Sequence, residues 1–111
     1  MSAAETIPYE GDEALRDDVL RAIGTVVDPE MGLSVVDVGL VYGVRVEPSQ
    51  VHVEITMTSA ACPVAELIAD EIRIAVGGAL PDDRPVEVAL CWDPPWTPER
   101  MSDLARQMMG W

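Results

Sequence analysis

Residues 51–78 read VHVEITMTSAACPVAELIADEIRIAVGG and predict a strand, a short connection and a helix in succession. In the first part, apolar residues alternate with polar ones, which is the pattern of a strand with one covered face. After the connection, apolar residues recur at helical spacing as far as Gly77 and Gly78, and Pro63 suits the first turn of a helix. The covered positions of the strand are predicted to be Val51, Val53, Ile55 and Met57, and His52, Glu54 and Thr56 to face the other way.

The flanking sequence extends this unit in both directions. A helix is predicted from about Leu15 to Val27, ended by Pro29. A first strand is predicted over residues 38–47, with a turn at 48–50, and a third strand over residues 86–91. Thr97 is predicted to cap a last helix with Pro98 at its first position. The predicted buried stripe of that helix is Met101, Leu104, Ala105, Met108 and Met109.

The predicted order is therefore α-β-β-α-β-α. It corresponds to a small two-layer α/β domain, of the α+β kind, in which helices cover a mixed sheet. Residues 1–11 lack apolar periodicity and contain Pro8 and Gly11, so they are predicted to form a flexible arm before a single domain at 12–111.

Composition excludes several classes of function. Twenty acidic and seven basic residues give a net charge of -13, which repels nucleic acids and anionic membrane surfaces alike. No apolar run approaches the roughly 20 residues of a membrane-spanning helix. The first 13 residues contain no Lys or Arg, unlike a secretory signal, so we expect a cytoplasmic protein with two reduced cysteines.

The predicted topology brings distant segments together. The helix after the second strand carries the chain back along the sheet, so the third strand should run parallel to the second. Residues 28–30, 58–63 and 91–96 should then meet at the end of the sheet where these two strands finish.

Cys62 is the most suggestive residue at this end. At the predicted amino end of a helix, unpaired N–H groups and the helix dipole stabilise a thiolate. Thr58 and Ser59 can donate hydrogen bonds to a bound anion or sulfide, and Asp28 and Glu30 can offer carboxylate oxygens to iron. The alternatives are that Cys62 is a small buried apolar residue and that the two acids are solvated residues after a helix end.

The other candidates have plainer interpretations. Cys91 is either a second thiol at the same end of the sheet or, more simply, a strand residue of suitable size. His52 lies in mid-strand with no partner pattern for catalysis. The segment from Trp92 to Pro98 is either a contact surface or a rigid connection. Two cysteines cannot supply the four thiolates that an iron-sulfur cluster usually takes. A cluster would need further ligands from a second subunit, a small thiol or a client, and it would be easily released.

Four motifs in order resemble the metal-sulfur cluster biosynthesis family, which includes PaaD-like and SufT-like proteins. They are Asp28-Pro29-Glu30, the stretch from Val36 to Tyr42, Thr58-Ser59-x-x-Cys62-Pro63, and Trp92 to Thr97 with Met101-Ser102. The resemblance implies an iron-sulfur cluster assembly fold, with the key cysteine of the family at Cys62 and its acidic motif at Asp28 and Glu30. Cys91 stands where the family more usually has an aliphatic residue, so no family role transfers to it.

The primary hypothesis is an assembly or carrier factor, not an enzyme. Its Cys62 thiolate would hold iron or an iron-sulfur cluster transiently, with an assembly scaffold and client apoproteins as partners. A homodimer with paired Cys62 thiolates would add ligands. One alternative is an adaptor that recruits clients without holding a cluster, and another is a thiol enzyme with Cys62 as nucleophile.

Overall fold

A four-stranded mixed sheet lies at the centre of the computed structural model, which describes residues 7–58 and 64–110. The strands are β1 (Tyr9–Gly11), β2 (Val27–Asp28), β3 (Leu33–Ser34), β4 (Val41–Val46), β5 (Val51–Ile55) and β6 (Val86–Leu90). The α-helices are α1 (Glu13–Gly24), α2 (Val35–Val38), α3 (Ala65–Ala79) and α4 (Asp103–Met109), and a 3₁₀ turn spans Pro98–Arg100. The predicted α+β class and mixed sheet are confirmed.

The sheet has the order β1-β4-β5-β6. Strands β4 and β5 are antiparallel, as the turn at residues 48–50 requires, and β6 runs parallel to β5 with Ile55 beside Leu90. The predicted parallel pairing of the second and third long strands is therefore confirmed. The 15-residue helix α3 makes the crossover between them, which parallel neighbours require.

The core lies between one face of the sheet and the helices α1 and α3. The predicted covered row of β5 is buried, with Val51, Val53 and Ile55 fully enclosed and Met57 almost so. These side chains share one buried apolar cluster with Val19, Leu20 and Ile23 of α1 and Ile68, Ile72 and Val76 of α3. The opposite face of β5 carries half-buried His52 and exposed Glu54, as predicted, but Thr56 is fully buried.

Residues 7–11 differ from the predicted flexible arm. Tyr9–Gly11 form β1, which runs parallel to β4 with Tyr9 beside Val44. The N–H of Val44 donates to the Pro8 carbonyl at 2.9 Å, and Ile7 is buried. A three-residue edge strand is ordered by backbone pairing and one anchor, neither of which leaves a periodic pattern in the sequence.

The approach to β4 also differs from the prediction. Helix α1 ends at Gly24, and a short β2–β3 hairpin precedes α2, whose last residue, Val38, is the predicted start of a strand. Gly39 ends α2 with a φ of +83°, a conformation that favours glycine. Val35–Val38 has the composition of a strand, but Ser34 caps it as a helix by accepting from the Val36 N–H at 3.2 Å.

The last helix begins later than predicted. Its cap is Ser102, whose Oγ accepts from the Ala105 N–H at 3.1 Å, whereas Thr97 precedes only the 3₁₀ turn. Met101 and Ala105 are buried as predicted. Leu104 and Met108 are 60% and 64% exposed, so their predicted burial is wrong. The helix packs on α2 through one narrow side, which leaves Leu104 and Met108 outside.

Among residues 7–58 and 64–110, none of the helices combines the length and apolar character needed to cross a membrane.

Candidate functional site

The candidate site lies at the end of the sheet where β4 begins and where β5 and β6 finish. Val41 pairs with Ile55, and Ile55 pairs with Leu90. Just beyond, the Thr56 N–H donates to the Leu40 carbonyl at 2.8 Å, and the Cys91 N–H donates to the Ile55 carbonyl at 2.7 Å. The segments that follow β5 and β6 therefore leave the sheet side by side, as the topology argument predicts.

The segment after β6 folds back across this end toward β4. The Trp96 indole Nε1–H donates to the Val38 carbonyl at 2.8 Å, and the Tyr42 hydroxyl donates to the Pro94 carbonyl. The Arg100 guanidinium lies 4.0 Å from the centre of the Tyr42 ring, within range of a cation–π interaction. These contacts make the segment a fixed connection, while Trp92 at its start is 45% exposed and remains accessible as a contact surface.

Asp28 is buried at the turn of the β2–β3 hairpin. Its Oδ1 accepts from the Glu30 N–H at 2.9 Å, and its carbonyl accepts from the Gly32 N–H at 2.7 Å. This is an Asx-type turn, in which a side chain replaces a backbone partner. The interpretation of Asp28 as a solvated acid is therefore wrong, whereas Glu30 is exposed.

The hairpin lies at the same end of the molecule as the start of β4. Helix α1 starts after β1 at the opposite end and returns, and the Val35 N–H donates to the Val26 carbonyl at 2.9 Å. The described hydrogen bonds of Asp28 stay within its own turn. The structure thus brings Asp28 and Glu30 to the predicted end of the sheet.

Two of the predicted site residues, Ser59 and Cys62, lie outside the described residues. Thr58 is exposed just before this gap, and Val64 follows it as the residue that precedes α3. Val64 makes no side-chain cap for the helix. The assignment of Cys62 to the amino end of α3 therefore remains a prediction from sequence.

Thr56 is a feature that the sequence analysis missed. Its side chain is fully buried, and its Oγ1 has no hydrogen-bond partner among residues 7–58 and 64–110. The strand ends at Ile55, so the alternation that placed Thr56 on the open face no longer applies one residue later. An unpaired buried hydroxyl is costly, and it lies two residues from Thr58 at the candidate site.

Cys91 and His52 have ordinary structural surroundings. The Cys91 thiol donates to the Asp93 carbonyl at 3.1 Å within its own turn, which agrees with its interpretation as a strand-end residue. His52 lies on the open face of β5, with Nδ1 3.5 Å from a carboxylate oxygen of Glu87 on the adjacent strand. This position is in mid-strand, away from the candidate site.

The described side chains do not by themselves form a metal centre. Outside the gap at residues 59–63 and the two chain ends, no group of three His, Cys, Asp or Glu side chains could hold a metal ion. The carboxylate and hydroxyl groups of the candidate site are too few to hold iron or sulfide. The site fits such a cargo only if the Cys62 thiol and a ligand from another molecule are added.

Comparison with known proteins identifies the family. The iron-sulfur cluster assembly protein family matches residues 16–90. The chain is 41% identical over 100 residues to the Fe-S protein maturation auxiliary factor YitW of Bacillus subtilis, covering 89% of this chain and 97% of that protein. It is 31% identical over 100 residues to an iron-sulfur cluster carrier protein of Mycobacterium bovis, covering 89% of this chain and 25% of that protein.

A solved structure has the same fold. A domain of unknown function from Bacillus anthracis superposes with a TM-score of 0.81 at 34% sequence identity, covering 88% of this chain and 93% of that one. The family match covers more than half of the chain, and the similarity to the Bacillus subtilis factor extends over nearly the whole of that protein. The chain therefore belongs to the iron-sulfur cluster assembly protein family.

Proposed function

We propose that this protein matures iron-sulfur proteins by carrying iron or an iron-sulfur cluster to apoproteins on Cys62. The observation that carries the proposal is its 41% identity to a maturation factor over 97% of that factor's length. Similarity to a cluster carrier protein supports cargo transfer rather than catalysis. The partners would be an assembly scaffold and client apoproteins in the cytoplasm, where thiols stay reduced.

Each site residue has a proposed part. The Cys62 thiolate is the ligand to the cargo, favoured by the amino end of the 15-residue helix α3. Thr58 and Ser59 donate hydrogen bonds to sulfide or to the thiolate, and Glu30 offers a carboxylate at the rim. Asp28 acts mainly by holding the hairpin that presents Glu30, through its bond to the Glu30 N–H. Because this chain has only two cysteines, the remaining ligands come from a small thiol or a partner, and release to a client is easy.

Anaerobic reconstitution with ferrous iron and sulfide tests the role of Cys62. We expect visible absorbance and bound iron in the wild type and in Cys91→Ser, and loss of both in Cys62→Ser. Cys91→Ser is the matched control, because the Cys91 thiol already donates within its own turn. Equal iron binding by Cys62→Ser and the wild type would contradict the proposed ligand.

Transfer is tested separately with an apo-ferredoxin as the acceptor. The loaded wild type should restore the acceptor spectrum faster than the same amount of free iron and sulfide. A rate no faster than that of the free ions would mean that the protein binds its cargo but does not deliver it. That result would contradict the carrier function.

An adaptor that recruits clients without holding cargo is the second candidate. It is favoured by apolar side chains that are exposed where β6 reaches the candidate site, among them Leu90 and Trp92, at 43% and 45%. If the wild type binds no iron but still binds an apoprotein, and Trp92→Ala weakens that binding, the adaptor replaces the carrier.

A further inference from the structure

Strand β6 is an outer strand of the described sheet, with β5 on one side only. An exposed edge of this kind presents unpaired backbone groups to other chains, and proteins usually protect it with charges, proline or a covering element. Within β6 the only charged residue is Glu87, and there is no proline. Glu87, Ala89 and Leu90 are all exposed, so no element formed by residues 7–58 and 64–110 covers the outer side of the strand.

The hydrogen bonds to β5 determine which residues of β6 have free backbone groups. The Val51 N–H donates to the Pro85 carbonyl, and the Cys91 N–H donates to the Ile55 carbonyl. Backbone N–H and C=O groups alternate in direction along a strand, so those of residues 85, 87, 89 and 91 point toward β5. Val86, Val88 and Leu90 therefore direct their N–H and C=O groups away from the sheet.

The side chains of the same three residues form an incompletely covered apolar row. They lie beside Val51, Val53 and Ile55, which are fully buried on the core face. In contrast, Val86 and Val88 are only half-buried, and Leu90 is 43% exposed. Helix α3 thus covers β5 fully but leaves the outer side of β6 open.

We infer that β6 pairs with β6 of a second copy of this chain, in an antiparallel arrangement centred on Val88. In this register Val88 lies opposite Val88 of the second copy. Val86 of each copy lies opposite Leu90 of the other. All three outward-directed residues then exchange backbone bonds, about six in total. The three side chains extend the apolar row across the interface, on the face that carries the helices.

The register centred on Val88 is favoured over its two neighbours for different reasons. A register centred on residue 89 would pair only Val88 with Leu90 within the strands and so form fewer backbone bonds. Shifting the centre to residue 87 would place Glu87 directly opposite Glu87, and like charges in that position destabilise a strand pair. With the centre at Val88, Glu87 instead faces Ala89 of the second copy. The strand is therefore complementary to itself, which is why a second copy rather than an unrelated strand is assigned to this edge.

The dimer should be weak at low ionic strength. Each chain carries a net charge of -13, so the two copies repel each other. Salt screens this repulsion and shortens its range. Five-residue strands also give an interface below the size of permanent complexes. We expect association that strengthens between about 0.05 and 0.5 M NaCl as the Debye length falls from over 10 Å to a few Å.

This arrangement differs from a dimer with paired Cys62 thiolates. In each copy, the candidate site lies at the end of the sheet where β5 and β6 finish. Antiparallel pairing places these two ends on opposite sides of the dimer. Each candidate site then works alone, so the inference does not depend on the proposed cargo.

Sedimentation equilibrium of the full chain with substitutions at Ala89 tests the register. Ala89→Lys places a cation opposite Glu87 of the second copy at two symmetric positions, and Ala89→Glu places an anion there. We expect the dimer Kd to fall about three- to tenfold with Lys and to rise by a similar factor with Glu. Glu87→Lys added to Ala89→Glu should restore the lost affinity, since the opposite charges then face each other again.

Ile74→Lys and Ile74→Glu are the matched controls for net charge. Ile74 is 76% exposed on α3, where it lines a groove with Thr25 and Ala75, away from β6. A chain that stays monomeric at about 1 mM in 0.5 M NaCl would overturn the inference. So would Ala89 variants that change the Kd no more than their Ile74 counterparts, because association would then involve another surface.

Discussion

Two buried polar side chains near the candidate site differ in how they are satisfied. Asp28 uses its carboxylate to accept from the backbone of Glu30, so its burial is compensated within one turn. Thr56 is buried at least as deeply, and its hydroxyl has no hydrogen-bond partner in the part of the chain that the structure describes. A buried hydroxyl without a hydrogen bond costs roughly 1–3 kcal/mol, which makes Thr56 a residue whose presence is not explained by stability.

Replacing Thr56 with Val should therefore stabilise the protein. The two side chains have nearly the same shape, and the substitution removes only the unsatisfied hydroxyl. We expect the free energy of unfolding to rise by about 1 kcal/mol, measured from the urea midpoint at constant m-value. Thr58→Val is the control, because Thr58 is exposed and should change stability by less than about 0.5 kcal/mol. A fall in stability for Thr56→Val would mean that the hydroxyl has a partner in solution.

At the scale of single elements, the connection between α3 and β6 contains the best-defined ion pair. Arg84 donates to both carboxylate oxygens of Asp82, at 2.8 and 2.7 Å, and its third nitrogen donates to the Glu47 carbonyl at 2.8 Å. The connection is thereby held against the β4–β5 turn, at the end of the sheet opposite the candidate site. It orients the start of β6 and takes no part in the proposed chemistry.

The pair predicts the titration of Asp82. Hydrogen bonds from Arg84 lower the pKa of Asp82 from 3.8 to about 2. Because the folded pKa is depressed, the small stabilisation is present above about pH 4 and is lost as the pH falls toward 2. Carboxyl NMR should give a midpoint near 2 in the wild type and a higher midpoint in Arg84→Gln, which loses the guanidinium hydrogen bonds but keeps the backbone N–H of residue 84 as a donor. Arg73→Gln should leave the midpoint unchanged, and an Asp82 midpoint near 3.8 in the wild type would contradict the ion pair.

The short elements show why sequence patterns were insufficient here. A strand of three residues or a helix of four contains less than one full repeat of its pattern, so β1 and α2 could not be distinguished from their neighbours. Thr97-Pro98 has the composition of a helix start, yet the chain makes one 3₁₀ turn and begins α4 only at Ser102-Asp103. Backbone partners elsewhere decide this, since the Ser102 N–H donates to the Asp37 carbonyl at 2.8 Å.

At the scale of the whole molecule, residues 91–102 are joined to residues 37–42 across one end of the sheet. The segments approach closely at Gly39, where an added Cβ would lie 2.3 Å from the Arg100 carbonyl oxygen. The Gly39 carbonyl also accepts from the Arg100 side chain at 3.3 Å. Two segments some 60 positions apart in sequence thus form one wall of the candidate site.

Gly39→Ala should separate these two segments. The residue has a φ of +83°, and the new methyl group would meet backbone atoms that cannot move aside cheaply. We expect a loss of about 2–4 kcal/mol in the free energy of unfolding, measured with urea. Gly77→Ala is the matched control, since this helical glycine has open space around it and should gain about 0.5–1 kcal/mol. Equal stability of Gly39→Ala and the wild type would contradict the close approach.

The sequence by itself determined the α+β class, the long elements, the parallel pairing of β5 and β6, and the end of the sheet at which the motifs gather. These follow from local patterns, because alternation and helical spacing repeat several times within β5 and α3. Only the tertiary structure decided the pairing of β1, the burial of Asp28 and Thr56, the exposure of Leu104 and Met108, and the open edge of β6. Each of these depends on which distant segment lies beside a residue, and no pattern within a few residues carries that information.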